Sequence, residues 1–163
     1  MSETGQLTWR SPMTSPDGAV DDKPGVTIRS LDNAAVRVRL SETQPFDEGC
    51  VQYTVEAWAP GLAARVDEVV AWIWDADLAA FLTELAGDYR GWEGERTWRT
   101  HDGDLAVSAV FRAGGQIGLT WTLRPWPDVA GGWTASVTIW LEAGAQMSSL
   151  AADVQHFLAE EPQ

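Results

Sequence analysis

The sequence predicts an α+β domain: a mostly antiparallel, meander-like sheet of about seven strands with two helices packed on its apolar face. Three observations predict it. Several short runs alternate apolar with polar residues, the period of a strand with one buried face. Two other stretches repeat apolar residues at i, i+3, i+4 and i+7, the period of a helix face. The strand runs follow one another through short turn-like segments, which favours antiparallel neighbours over crossovers.

Residues 1–24 are rich in Ser, Thr, Pro, Gly and Asp and show no period, so they are expected to be a disordered or loosely attached arm. The domain is expected over 25–160. Val26-Thr27-Ile28-Arg29 is a short strand. Ala35 to Leu40 is a second, with Val36, Val38 and Leu40 on one face and Arg37 and Arg39 on the other. Leu31-Asp32-Asn33 between them has hairpin-turn chemistry. Pro45 to Gly49 reads as a loop. Val51, Tyr53, Val55 and Ala57 alternate with Gln52, Thr54, Glu56 and Trp58 in a third strand, which Pro60-Gly61 ends. Residues 64–73 form a fourth, with Val66, Val70 and Trp72 on one side.

Asp75 or Asp77 then caps a helix whose core stripe is Leu78, Phe81, Leu82 and Leu85, ended by Gly87 or Gly91. Leu105, Val107, Ala109 and Phe111 mark the next strand, Ala113-Gly114-Gly115 the turn, and Ile117, Leu119, Trp121 and Leu123 the strand after it. Pro125-Trp126-Pro127 cannot join a central ladder, because proline lacks the N–H. Trp133, Ala135, Val137, Ile139 and Leu141 make the last strand. The final helix runs from about Gln146 to Ala159, with Met147, Leu150, Val154, Phe157 and Leu158 on its apolar face.

The chain has 163 residues, of which 45% are hydrophobic, enough for one sizeable core. Its net charge is −13 and its pI about 4.3. That field repels nucleic-acid phosphates and anionic membranes and attracts a basic partner. No run approaches the ~20 apolar residues of a membrane-spanning helix, and no basic-then-apolar leader opens the chain. Cys50 is the lone cysteine, so no intrachain disulfide is possible and a cytoplasmic setting is expected. One Lys against ten Arg, with abundant Ala and Gly, resembles the coding bias of actinobacteria.

The motifs of catalysis are missing from the sequence. It holds no G-x-S-x-G, no H-E-x-x-H, no phosphate-binding loop and no dinucleotide-binding glycine run. His101-Asp102-Gly103-Asp104 is the most metal-like cluster, but Asp-Gly is also a favoured turn pair, and the turn is the expected reading. Paired carboxylates such as Glu84 with Asp88, Glu93 with Glu95, and Asp102 with Asp104 arise readily in a chain with 24 acids. No cofactor and no metal is expected.

The run Phe81-Leu82, Leu85-Ala86, Tyr89-Arg90-Gly91-Trp92, Gly94, Arg96, Trp98 resembles the signature of a small single-domain family of unknown function, widespread in actinobacteria. Gly118-Leu119-Thr120, Trp133 and Leu141-Glu142-Ala143-Gly144 extend the resemblance over about residues 25–160. The layout is also similar, more distantly, to the small α+β immunity proteins that neutralise bacterial polymorphic toxins.

The 10 tryptophans divide by strand face. Trp121 and Trp133 fall on apolar faces and are expected in the core. Trp58 and Trp140 fall on polar faces, and Trp92 and Trp126 in loops. Exposed aromatics anchor protein partners or stack on sugars. The leading expectation is therefore a non-catalytic binding protein, most concretely an immunity-type inhibitor that occludes a basic toxin, with contacts from Trp58, Trp92, Trp126 and Trp140 together with Glu93, Glu95 and Glu142. A small-ligand or carbohydrate-binding domain using the same tryptophans is the alternative. A hydrolase of unrecognised type centred on His101, Asp102 and Asp104 is the third.

Overall fold

The computed structural model describes residues 24–72, 78–126 and 129–159. The elements run β1 (Gly25–Arg29), β2 (Arg37–Asp47), β3 (Cys50–Ala59), β4 (Leu62–Trp72), α1 (Leu78–Gly87), β5 (Glu95–Arg99), β6 (Leu105–Arg112), β7 (Gln116–Leu123), β8 (Ala135–Glu142) and α2 (Ala145–Ala159). The arm expected over residues 1–24 falls, except for Pro24, outside the described residues, and so do the caps expected at Asp75 or Asp77.

The class is α+β, but the sheet is not one of seven strands. The described strands form two antiparallel meanders of four, β1-β2-β3-β4 and β5-β6-β7-β8, with α1 between them in sequence. The sheets approach where the chain leaves β1: the Leu31 N–H donates to the Trp140 carbonyl at 2.9 Å, and the Trp140 N–H donates to Ser30 Oγ at 2.9 Å. The strand that sequence reading missed is β5. Its Glu95-Arg96-Thr97-Trp98-Arg99 carries charges where an interior strand would carry apolar side chains, the composition of a guarded sheet edge.

Tight turns set the register. Asp47 pairs with Cys50 and Ala59 with Leu62, so Glu48-Gly49 and Pro60-Gly61 are two-residue connections. Each requires a glycine at positive φ, 77° at Gly49 and 82° at Gly61. The expected loop over 45–49 is thus mostly strand. Pro45 is tolerated there because β1 reaches only as far as Ser41, leaving β2 an edge beyond that point.

Three register shifts interrupt the ladders of the first sheet: one between Pro45 and Asp47 beside the hairpin turn, and two bulges on either side of β3. Four residues of β2 (Ser41 to Gln44) oppose three of β3 (Gln52 to Thr54), and four of β4 (Val66 to Val69) oppose three (Tyr53 to Val55). Glu42 and Glu68 sit in these bulges, each at φ 60°. The second bulge shifts the alternation of β4 by one residue. Val66, Val69 and Ala71 are buried and Val70 is only half-buried, in place of the expected inner face of Val66, Val70 and Trp72; the Trp72 side chain lies outside what is described.

One continuous core joins both sheets and both helices. Val51, Tyr53, Val55 and Ala57 of β3, Ile117, Leu119, Trp121 and Leu123 of β7, and Val137, Ile139 and Leu141 of β8 enter it as their alternation predicts. Leu78, Leu82 and Leu85 of α1 and Met147, Leu150, Val154, Phe157 and Leu158 of α2 supply the other wall. The helices pack on each other, with α2 also beside β1 and β8. Trp121 is fully buried at the centre. Its indole N–H has no hydrogen-bond partner among the described residues.

Candidate functional site

The structure sorts the tryptophans more sharply than strand face does. Trp58, on the outer face of β3, is half-buried, and the Arg37 guanidinium from the neighbouring strand lies 4.3 Å from its ring centroid. Trp140, on the outer face of β8, pairs across the ladder with Gly118. A Cβ on Gly118 would stand 2.7 Å from the indole, so the ring lies flat on the glycine. The Arg112 guanidinium lies over the same ring, 3.9 Å from its centroid, and is itself held by Gln116 Oε1.

Trp92, expected in an open loop, is tucked in. Phe111 meets it edge-on at 5.3 Å, and the Arg96 guanidinium lies 4.7 Å from its ring, anchored by Asp88 at 2.5 Å. Gly91, at φ 111°, makes room for Phe111, whose ring would be 2.9 Å from a Cβ there. The Trp92 indole nitrogen is buried without a partner among the described residues. Three of the four candidate rings are therefore already capped by an arginine. Such a contact is worth about 0.5–1 kcal/mol at exposed sites, and it leaves less bare aromatic face for a ligand.

Trp126 differs. It is 64% exposed in the loop between β7 and β8, and no ring or cation contact to it is found among the described residues. Its φ is 52°, a left-handed conformation that is an outlier for a bulky side chain. Val129 is 61% exposed and Trp133 38% exposed in the same loop. Trp133 is not the core residue its alternation with Ala135 implies, because β8 begins only at Ala135 and the preceding Gly131-Gly132 turn carries the chain off the sheet. That glycine pair was the signal for reassigning it. Trp126, Val129 and Trp133 line one open depression of about 360 Å³, with Arg124, Gly132 and Thr134.

The loop is held from below. The Arg124 N–H donates to the Asp104 carbonyl at 2.9 Å, tying it to the β5–β6 turn, while Val129 donates to Trp126 O and Gly132 to Val129 O within it. Three carbonyls, of Pro125, Trp126 and Val129, close around Gly132 so tightly that a Cβ would stand 3.0–3.2 Å from them.

The expected contact residues do not converge on one surface. Glu95, Val110, Gly118 and Trp140 occupy one cross-strand row, with Glu95 and Trp140 on opposite edge strands. Three strand spacings put them about 14 Å apart. Trp140 and the Trp126 loop lie at opposite ends of the β7–β8 hairpin, since Ala135 adjoins the loop and Trp140 is five residues along. Those five residues span about 17 Å. Glu93 and Glu142 are exposed, and Trp58 belongs to the other sheet.

His101, Asp102 and Asp104 form the expected turn. Thr100 Oγ1 donates to Asp104 Oδ1 at 2.6 Å and the Gly103 N–H donates to Thr100 O at 3.1 Å. Among the described residues no group of three His, Cys, Asp or Glu side chains is placed to hold a metal. On the first sheet, Arg65 gathers Asp67 at 2.9 Å and Glu42 and Glu56 at 3.5 Å each. Burial alone would lower its pKa; the Asp67 hydrogen bond and charge, then Glu42 and Glu56, raise it instead. Burial, and secondly the Asp47 carboxylate, push the Cys50 thiol above its ordinary range.

No helix among the described residues is long and apolar enough to cross a membrane. A protein-family model described as a family of unknown function, DUF6228, matches residues 29–161. No curated protein and no solved structure matches the chain.

Proposed function

We propose that this chain, which belongs to the DUF6228 family, is a protein-binding protein that docks through its β7–β8 loop with Trp126 as the anchor. One observation carries the reading: Trp126 combines 64% exposure with a φ of 52°. A left-handed conformation costs an L-residue roughly 1–2 kcal/mol, and the exposed part of the indole gains nothing from its own fold. A residue bearing both penalties is explained by what it does on contact. Burying the exposed part of an indole removes about 100–150 Å² from water, worth roughly 3 kcal/mol, which is the range of an interface hot spot.

The net charge of −13 favours a basic partner. An immunity-type inhibitor that covers a basic toxin is the most concrete form of this reading, supported by the charge and by the aromatic loop.

The test is capture of partners from the source cell on wild-type, Trp126→Ala and Trp58→Ala protein, at low and high salt. A stoichiometric partner held by wild type and Trp58→Ala but lost on Trp126→Ala is the expected result. A partner insensitive to Trp126, or one lost on Trp58→Ala alone, would remove this loop from the account.

A further inference from the structure

We propose that the open edge of β1 takes a short extended strand from a basic protein, paired to the Gly25–Arg29 backbone and sending a lysine or arginine into the depression beside α2. This contact is separate from the Trp126 loop and stands on its own observations.

The edges of the two sheets are β1, β4, β5 and β8. Edges are ordinarily guarded by charges, bulges or cover. β4 carries Arg65, Asp67 and Glu68 together with its bulge. β5 carries Glu95, Arg96 and Arg99. β8 is closed at Trp140, whose N–H and carbonyl are taken by Ser30 Oγ and the Leu31 N–H. Gly25-Val26-Thr27-Ile28 of β1 carries no charge, and its register with β2 is unbroken. The Ser30 N–H donates to Val36 O at 3.0 Å and continues that register, whereas the Leu31 N–H points the other way, to Trp140 O at 2.9 Å. In an antiparallel strand the N–H and C=O groups change sides at each residue. Val26 and Ile28 therefore bond β2, while Gly25, Thr27 and Arg29 present theirs to the open side. No backbone hydrogen bond on that side of these three is found among the described residues.

Alternate residues, each offering a donor and an acceptor about 7 Å from the next, match another β-strand. A polyproline segment has no N–H to return, and a sugar does not repeat paired donors and acceptors at that interval. A second copy of this chain is disfavoured at long range, because each copy carries a charge of −13. An added strand would alternate its side chains as β1 does. Those on the Val26 side meet an open depression of about 440 Å³ between β1 and α2, lined by Pro24, Val26 and Phe157 and by Thr27, Asp153 and His156. Asp153 is the one carboxylate of that lining, and no hydrogen bond or ion pair to it is found among the described residues. A lysine or arginine can lay its stem along the apolar part of such a lining while its head reaches the carboxylate. The backbone thus selects a strand, and Asp153 selects a basic one.

The experiment follows amide hydrogen exchange in the ¹⁵N-labelled full chain, alone and with a short synthetic peptide that alternates lysine with valine. Alone, the Thr27 and Arg29 amides are expected to exchange at least roughly tenfold faster than that of Ile28, which is bonded to β2. With the peptide at up to millimolar concentration, both are expected to shift saturably and gain protection. The same peptide N-methylated at every residue, or with glutamate in place of lysine, is expected to bind at least roughly tenfold more weakly. Asp153→Asn is expected to weaken the lysine peptide several-fold, and Trp126→Ala to leave it unchanged. Thr27→Pro removes an N–H that β2 does not use and is expected to abolish binding, with thermal melts to confirm the fold; the methylated peptide makes the same test without altering the protein. Thr27 and Arg29 amides already protected in the chain alone would overturn the inference, because the edge would then be filled by this chain or a second copy. A lysine peptide that gives no protection would overturn it too, as would a methylated or glutamate peptide that binds equally well. A cellular partner that needs Trp126 but leaves both amides exchanging freely would overturn this inference and leave the role of the loop standing. A partner that protects both amides and is indifferent to Trp126 would support it and remove the loop.

Discussion

Replacing Trp126 with Asn separates what the residue does for the fold from what it does on contact. About a third of the side chain is covered, since it is 64% exposed. A third of ~200 Å² at ~25 cal/mol per Å² is roughly 1.5–2 kcal/mol of packing lost. Against that, Asn tolerates a φ of 52° far better than Trp, recovering about 1–2 kcal/mol of backbone strain. The two effects nearly cancel. Stability is expected to change by less than about 1 kcal/mol, a shift of no more than roughly 4 °C in melting temperature for a chain of this size. Binding loses the other two thirds of the indole, about 3 kcal/mol, or roughly a hundredfold in affinity. Calorimetric melting and a titration with the captured partner measure the two effects. A fall of 8 °C or more would show Trp126 to be a structural plug, and the strain argument for its function would fail.

Four further outcomes follow from the packing. Trp121→Ala is expected to cost about 3–5 kcal/mol by chemical denaturation, as a fully buried large-to-small change; Trp121→Phe should cost much less, because it also removes a buried N–H without a described partner. Gly118→Val should displace the Trp140 ring, which already lies 2.7 Å from where a Cβ would stand, lowering stability by about 1–3 kcal/mol and changing tryptophan emission; an unaltered spectrum would contradict the stacking. Glu68→Gly, at an exposed left-handed bulge position with φ 60°, should raise stability by up to about 1 kcal/mol, whereas Glu68→Val should lower it. The raised Cys50 pKa means the folded protein holds its thiol proton more tightly than the unfolded chain. That contribution is complete below the ordinary thiol pKa of about 8.5 and is lost as pH rises through the higher folded value. Stability should therefore decline above about pH 8.5 in wild type, and less so in Cys50→Ala.

The sequence made most of the fold legible, because strands with one buried face write their period plainly. Val51 to Ala57, Ile117 to Leu123 and the stripe from Met147 to Leu158 are examples. What stayed hidden was not periodic. β5 alternates charges with an aromatic at a sheet edge, so the apolar rhythm is absent. The bulge at Glu68 inverts the faces of β4 midway, and nothing about a glutamate announces a positive φ. The same blindness reached the site. Trp58 and Trp140 are expected on polar strand faces and Trp92 in a loop, yet Trp92 packs against the core and all three rings are covered, by Arg37, Arg112 and Arg96. Arg37 and Arg112 lie on strands neighbouring those of Trp58 and Trp140, a relation that depends on register; Arg96 is only four residues from Trp92, but its stacking depends on how the α1–β5 connection folds. Trp133 continued the alternation of β8 by two residues and so looked like core, although its strand had not begun.

The capped rings also explain why composition alone is a poor guide to this protein. A chain with 10 tryptophans and a charge of −13 invites the view that acid and aromatics together form one binding face. The structure separates them. Arginines lie over Trp58, Trp92 and Trp140, and Arg65 is drawn to three carboxylates, so much of the positive charge serves to quiet aromatic and acidic surface. The Trp126 loop lacks that treatment among the described residues, although Arg124 lines the same depression and is long enough to cap a ring. An uncapped, strained indole beside an available guanidinium is what a site looks like when its cover is to come from another molecule. Under the docking role proposed above, the charge would act at long range, speeding the encounter in a salt-sensitive way, while Trp126 would govern how long the complex lasts.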